Sequence, residues 1–197
     1  MDYGSGNVRS VFNIFRTLTD DVVISNKFED IQKSTHLVLP GVGAFGASMD
    51  KIHKSIPLEV IEEEVFVKHK PFLGICVGMQ VLANKGYEFG EHKGLGWIKG
   101  KVRKLESREL PLPHIGWNDI KILKSSLILD GFGQQNDFYF VHSFVFDAED
   151  KESIVGTTNY GEDFVSVINK GNVYGVQFHP EKSQKSGKLL LSNFLNI

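Results

Sequence analysis

Cys76, the single cysteine of the chain, sits where a thiol can be turned into a nucleophile. It lies in the stretch Lys70 to Gln80, KPFLGICVGMQ, between Gly74 and Gly78. Pro71 to Ile75 is a short apolar run suited to a buried strand, and Val77 to Ala83 can continue as a helix. Strand, Gly-x-nucleophile-x-Gly, helix is the layout of a nucleophile elbow. The nucleophile occupies a strained turn where backbones come close, and a glycine on each side removes the Cβ atoms that would clash. The N–H groups of the following helix then favour a thiolate and any oxyanion forming beside it. A buried free cysteine acting as a small hydrophobe is the other common fate of this residue.

A second stretch, Tyr174 to Ser183 (YGVQFHPEKS), supplies a base. An apolar strand ends at Phe178, and His179-Pro180-Glu181 follows directly. Pro180 imposes extended geometry on His179, so His179 and Glu181 project to the same side of the backbone. A carboxylate there fixes the imidazole's tautomer and stabilises its positive form, while the imidazole takes a proton from a thiol. Alone, His179 reads first as a satisfied surface histidine; together with the elbow it reads as catalytic.

The elements that must position these groups alternate in the first half of the chain. Asp2 to Asn7 is a turn, and Val8, Val11, Phe12, Phe15 and Leu18 follow helical spacing. Asp21 to Ser25 reads as a strand, Phe28 to Ser34 as a short helix and Leu37 to Leu39 as a strand ending in Pro40-Gly41-Val42-Gly43. Helices over Ala44 to Ile56 and Leu58 to His69 precede the elbow. Such alternation predicts an α/β fold, a largely parallel sheet with helices on both faces, whose ligands bind beyond the carboxyl ends of the strands. After about Gly90 the texture changes to strand-like stretches separated by glycine turns: Trp97 to Leu105, Asp119 to Leu123, Phe138 to Phe146, Ile154 to Thr158, Phe164 to Asn169 and Val173 to Phe178. A closing helix is expected over Ser183 to Leu195. With no repeat or linker, residues 1–197 read as one domain with an additional antiparallel region.

Composition narrows the function. With 197 residues, 41% hydrophobic and 23% charged, the chain can bury a proper core. A net charge of -2 gives no basic footprint for nucleic acid. One cysteine forbids an internal disulfide, and the lack of a Cys/His cluster argues against a structural zinc, so neither metal nor cofactor is expected. No run approaches the ~18 apolar residues of a membrane span, and no signal peptide opens the chain. The cytoplasm is the expected compartment, where a lone thiol stays reduced.

At this point the chain resembles the class I glutamine amidotransferases, and within them the glutaminase subunits of imidazole glycerol phosphate synthase. DYGSGNVRSV, LPGVGAFG, GICVGMQ, GLGWIKGKV, PHIGWN, FYFVHSF and GVQFHPEKSQ carry the resemblance over nearly the full length, in family order. It implies a triad of Cys76, His179 and Glu181 that hydrolyses L-glutamine to glutamate and ammonia through a thioester. It implies an oxyanion hole from the Val77 backbone N–H and one from PGVG, at Val42 or Gly43. Gln80 and Glu88 match positions that recognise the substrate's polar ends, and Ser143 and Phe144 match the backbone segment beside it; Glu88 by itself reads as a solvated loop charge. The implied partner is a HisF-type (β/α)8 barrel, which would use the ammonia to make imidazole glycerol phosphate and AICAR from PRFAR. Asn7, Arg9, Pro113, Trp117, Tyr139 and Lys182 correspond to the docking face, where exposed Trp, Tyr and Arg are expected. Core packing for Trp117 and Tyr139, and plain solvation for Arg9 and Lys182, are the competing readings.

The chain departs from the family pattern in two places. Family members begin with a hydrophobic strand before the Asp-Tyr-Gly turn, whereas only Met1 precedes Asp2 here, which predicts an unpaired sheet edge. NKGYEFGEHKGLGWI and PHIGWN are similar to paralogues that pair with HisF-like proteins in surface-polysaccharide pathways, so a sugar acceptor is an alternative to PRFAR. A catalytically silent scaffold subunit is a further alternative, against which the intact Cys76, His179 and Glu181 set argues.

Overall fold

The computed structural model describes residues 1–133 and 136–197. In chain order the first half holds α1 (Val8–Arg16), α2 (Phe28–Lys33), β1 (Leu37–Gly41), α3 (Phe45–Ser55), α4 (Leu58–Glu62), β2 (Phe72–Cys76) and α5 (Val77–Gln80). The second half adds β3 (Lys85–Gly86), β4 (His92–Lys93), β5 (Gly100–Lys104), β6 (His114–Asp119), β7 (Lys121–Ile122), β8 (Asp137–His142) and β9 (Phe144–Ala148). Strands β10 (Ile154–Tyr160), β11 (Glu162–Lys170) and β12 (Val173–Val176) and helix α6 (Gln184–Leu195) complete it.

The central sheet runs β1-β2-β12-β11-β10-β7, flanked by a small sheet β4-β3-β5-β9 and a two-stranded ribbon β6-β8. Every residue of β2 and β12 is buried, as the apolar runs FLGIC and VYGV require of strands covered on both faces. Phenylalanine fills the adjoining core: Phe72, Phe138, Phe140, Phe178 and Phe194 are fully buried, and the Phe138 and Phe178 rings stack with centroids 3.9 Å apart. The stack ties the ribbon to the chain leaving β12.

The expected α/β layout is found: β1, β2 and β12 are parallel, and the additional antiparallel strands β11, β10 and β7 extend the same sheet. Several local expectations are corrected. Asp21 to Ser25 is not a strand, because among the described residues no neighbour exchanges a ladder of hydrogen bonds with it. It lines a groove of about 370 Å³ beside the outer edge of β1, where the Met1 ammonium donates to the Val38 carbonyl at 2.8 Å. The helix from Leu58 passes into a π-turn over Glu63–Val67 and stops before His69, which has φ 55; Lys70, just before Pro71, is disfavoured in a helix. The stretch Phe138 to Phe146 is two strands, because the chain leaves the ribbon at His142 and enters the small sheet at Phe144. Trp97 packs its ring against Phe66 and Phe72 instead of pairing, so that strand starts only at Gly100. The strand β6 was hidden by Pro113 and Gly116, both poor strand formers, and exists through its pairing with β8. No helix of the described residues is long and apolar enough to cross a membrane.

Candidate active site

Cys76 is the last residue of β2 and has φ 54 and ψ -112, a backbone conformation costly to any residue with a Cβ. The flanking glycines make the turn possible. A Cβ on Gly74 would lie 2.4 Å from the Gly78 carbonyl oxygen, and one on Gly78 would lie 1.8 Å from the Leu39 carbonyl oxygen. Thus the elbow is wedged against β1 with no room for a methyl group, and α5 starts at Val77 immediately behind the sulfur.

The parallel pairing of β12 with β2, with Val176 opposite Ile75, makes the two chains leave the sheet side by side. That register carries His179 to the elbow despite its distance in sequence. His179 is 1% exposed, and its Nδ1 lies 2.7 Å from Glu181 Oε1. The same carboxylate oxygen accepts Asn7 Nδ2 at 3.0 Å. With Nδ1 engaged, His179 Nε2 is left buried and without a hydrogen-bond partner among the described residues. Burial opposes a charge on the ring, but the Cys76 sulfur and the Glu181 carboxylate outweigh it and raise the His179 pKa to about 10. The arrangement therefore favours an imidazolium at the elbow, a proton donor already loaded beside the sulfur.

The chain beyond β1 passes closest to this elbow: Gly41 lies opposite Cys76 in the pairing, and a Cβ there would be 2.9 Å from the Gly78 nitrogen. Val42 is 38% exposed, and Gly43 has φ +103 with open space around it. Gln80 is buried on α5, and its amide nitrogen donates to the Phe144 carbonyl at 2.9 Å and to Gln177 Oε1 at 3.0 Å. Ser143 and Phe144 bridge the ribbon and the small sheet; the Ser143 carbonyl accepts the Leu105 N–H at 2.9 Å. Glu88 stands farther along, and its carboxylate accepts the Phe45 N–H at 2.8 Å, capping the first turn of α3 where PGVG hands over to a helix.

The residues expected at a docking face are distributed around the His179–Glu181 pair. Trp117 and Tyr139 are opposite each other on the ribbon, with ring centroids 6.1 Å apart, and Lys182 Nζ lies 5.4 Å from the Tyr139 ring centre. Trp117 is 49% exposed, which excludes core packing for it. Pro113 is exposed at the start of the ribbon, and Arg9 is exposed on α1 with its guanidinium 5.9 Å from the Phe12 ring centre. Asn7 differs from these, since its side chain is spent on Glu181. The ribbon is tied directly to His179: the His179 N–H donates to the Tyr139 carbonyl at 2.9 Å, the Ser183 hydroxyl donates to the His179 carbonyl at 2.7 Å, and the Tyr139 N–H donates to that hydroxyl at 2.9 Å.

Sequence reasoning missed Gln177, which is fully buried and has its amide nitrogen 3.7 Å from the Cys76 sulfur. Its place two residues before His179, at the end of an apolar strand, was the available signal. It also missed the buried pair His114 and His142, of which only His142 lay in a stretch read as a strand.

The profile of the family described as glutamine amidotransferase class-I matches residues 1–197. The imidazole glycerol phosphate synthase subunit HisH of Pelagibacter ubique is 44% identical over 203 residues, with 100% of this chain and 98% of that protein covered. The HisH subunit of Aquifex aeolicus is 47% identical over 195 residues, with 98% and 93% covered. These names favour the imidazole glycerol phosphate synthase branch over the sugar-acceptor alternative. Among solved structures, a glutamine amidotransferase superposes with a TM-score of 0.75 at 18% identity, covering 98% of this chain and 94% of that one. PurLQS of Thermotoga maritima superposes with a TM-score of 0.70 at 18% identity, covering 99% and 95%. At such identities the structures speak for the fold, while the full-length relatives speak for the family. The chain belongs to the class-I glutamine amidotransferase family, among the HisH subunits of imidazole glycerol phosphate synthase.

Proposed function

We propose that Cys76, His179 and Glu181 form the catalytic triad of a glutaminase whose ammonia passes to a HisF-type (β/α)8 barrel partner. The reading rests above all on the strained elbow at Cys76 beside a buried His179–Glu181 pair, a combination that a structural cysteine does not need. The Cys76 thiolate attacks the side-chain amide carbon of L-glutamine, and the carbonyl π electrons move to oxygen. The oxyanion is met by the Val77 N–H and by an N–H from the Val42–Gly43 segment, each such donor being worth about 2.7–4 kcal/mol of barrier. His179 gives its Nε2 proton to the departing nitrogen, ammonia leaves, and a glutamyl thioester remains. His179, now neutral, takes a proton from water, which attacks the thioester and releases glutamate and the thiolate. Glu181, steadied by Asn7, stabilises the imidazolium in both halves.

Gln80, Glu88, Ser143 and Phe144 would recognise the polar ends and backbone of the bound glutamine, a role supported by the resemblance to the family. Arg9, Pro113, Trp117, Tyr139 and Lys182 offer the partner a cationic and aromatic surface, and Asn7 joins that surface to the triad. In an imidazole glycerol phosphate synthase, the complex for which the relatives are named, the ammonia would serve the conversion of PRFAR to imidazole glycerol phosphate and AICAR. Glutamine hydrolysis and a HisF-type partner point to a cytoplasmic protein.

The test is covalent trapping with 6-diazo-5-oxo-L-norleucine, a glutamine analogue that alkylates an activated cysteine. Mass spectrometry of the complex is expected to find one adduct, on Cys76, blocked by excess glutamine and lost in His179→Ala. No adduct on the wild-type chain under conditions where glutamate is released would overturn the triad.

A further inference from the structure

Two buried amides and two buried histidines form a hydrogen-bonded chain that ends on the sulfur, and its direction is fixed by chemistry. The Phe144 carbonyl can only accept, so His142 Nδ1, 3.0 Å away, carries the proton. His142 Nε2 is then an acceptor, so His114 Nδ1, 3.1 Å away, must be protonated. His114 Nε2 in turn accepts from Asn118 Nδ2 at 3.3 Å, consistent with the Asn118 oxygen accepting the Asp119 N–H at 2.9 Å. On the other side of the Phe144 carbonyl, Gln80 must present its nitrogen, whose second hydrogen goes to Gln177 Oε1. Gln177 is thereby turned with its nitrogen toward Cys76 Sγ, at 3.7 Å. Flipping either glutamine amide would set two oxygens, or two N–H groups, against each other in a buried site.

We propose that Gln177 is a further catalytic residue, a donor to the Cys76 thiolate, and that His142 with His114 is a neutral positioning pair that orients it through Phe144 and Gln80. The proposal rests on Cys76 being the nucleophile of the glutaminase reaction. Both rings are buried, His114 lies between Phe140 and Tyr160 with centroids 5.0 and 4.0 Å away, and burial lowers their proton affinity to pKa values of about 4 for His114 and about 3 for His142. A proton on either ring would put two N–H groups face to face and break the relay. The other ionisable groups around the sulfur are His179, with Glu181 behind it, and the Tyr3 hydroxyl, which burial keeps as a neutral phenol with a pKa of about 12. An N–H aimed at sulfur stabilises the anion and leaves the thiol untouched, so it lowers the pH at which the thiolate forms.

Because the chain has one cysteine, alkylation by iodoacetamide reports Cys76 alone, without glutamine turnover or a partner. In Gln177→Leu, which removes the donor, the pH midpoint of alkylation is expected to rise by about one unit, equivalent to about a tenfold loss of thiolate below the midpoint. Gln177→Glu, of nearly the same shape, should raise it further by placing a carboxylate beside the sulfur. His142→Asn keeps a nitrogen in the place of Nδ1 and should leave the midpoint near wild type, whereas His142→Leu should shift it in the direction of Gln177→Leu. Long-range nitrogen–proton spectra of histidine-labelled wild-type protein supply a readout independent of mutation: His114 and His142 should both be neutral with the proton on Nδ1 at pH 6.5. An unchanged midpoint in folded Gln177→Leu and Gln177→Glu, or an Nε2 proton on His142, would overturn the proposal. Failure of the glutaminase reading would instead appear as a normal thiol titration in a chain that releases no glutamate.

Discussion

Gly78→Ala tests whether the elbow is held by the close approach of α5 to β1. The added Cβ would stand 1.8 Å from the Leu39 carbonyl oxygen, and the obstacle is backbone with no rotamer to move. Relief to about 3.0 Å, the shortest separation real Cβ atoms show, requires a displacement of 1.2 Å (3.0 minus 1.8). Overpacking of this kind costs about 1–3 kcal/mol, and an obstacle made of backbone puts it near 3. For a chain of this length that corresponds to a fall in Tm of roughly 6–12 °C. The functional loss should be larger than the loss of stability. Cys76 and Val77 are adjacent to the wedge, so the sulfur and the Val77 N–H move together, and losing one oxyanion donor alone costs about 2.7–4 kcal/mol, or 10²–10³-fold in kcat. The assay pairs thermal melts with glutamate release by the complex, below the melting range of the variant. Gly133→Ala is the control: nothing lies within 4 Å of its Cβ, so it should stay within about 0.5 kcal/mol of wild type. A Gly78→Ala variant with the wild-type Tm and kcat within twofold of wild type would refute the steric argument.

Asn7→Leu removes the second hydrogen bond to Glu181 Oε1, and kcat should fall by about tenfold, in line with a lost charge-assisted bond of about 1.5 kcal/mol, with little change in KM; an unchanged kcat would assign Asn7 to docking alone. His179 should remain protonated in an NMR titration through pH 8, because its folded-state pKa is raised to about 10. Through that group the folded state binds a proton the unfolded chain has released, so its stabilising contribution is full below about pH 6.5 and declines as pH rises toward 10. In Cys76→Ala the sulfur's share of that increase is gone and the titration should move to lower pH, whereas a wild-type His179 titrating near 6.5 would deny it an ion-pair partner.

The site was legible where local backbone demands leave marks on the residue types. Gly74 and Gly78 are dictated by approaches to Gly78 and Leu39 that no other residue permits, so the elbow could be read before any fold was known. His179-Pro180-Glu181 carries its geometry within three residues, and the two side chains meet at 2.7 Å. What could not be read depends on which strand lies beside which. Asp21 to Ser25 has the composition of a strand, but a strand exists only with a partner. His114–Asp119 has weak strand residues, yet pairing with Asp137–His142 makes it one. The break at Ser143 is set by two different neighbours on its two sides, β6 and β5, and nothing local announces it. Gln177, Gln80 and His142 belong to the same class, because their roles arise where three separate stretches of sequence meet, Gln80 and His142 on the Phe144 carbonyl and Gln177 on Gln80. Asn7 was assigned to a surface by resemblance, and only the structure reveals its bond to Glu181.

The central claim is that this chain generates ammonia at Cys76 for a reaction carried out elsewhere, in the barrel partner. The most direct test is product formation by the complex of Cys76→Ala with a HisF-type subunit and PRFAR, with glutamine or an ammonium salt as nitrogen source. The account predicts no product from glutamine and wild-type rates from ammonium. Product from glutamine at the wild-type rate would contradict it, and so would loss of the ammonium-dependent reaction in a complex that still assembles.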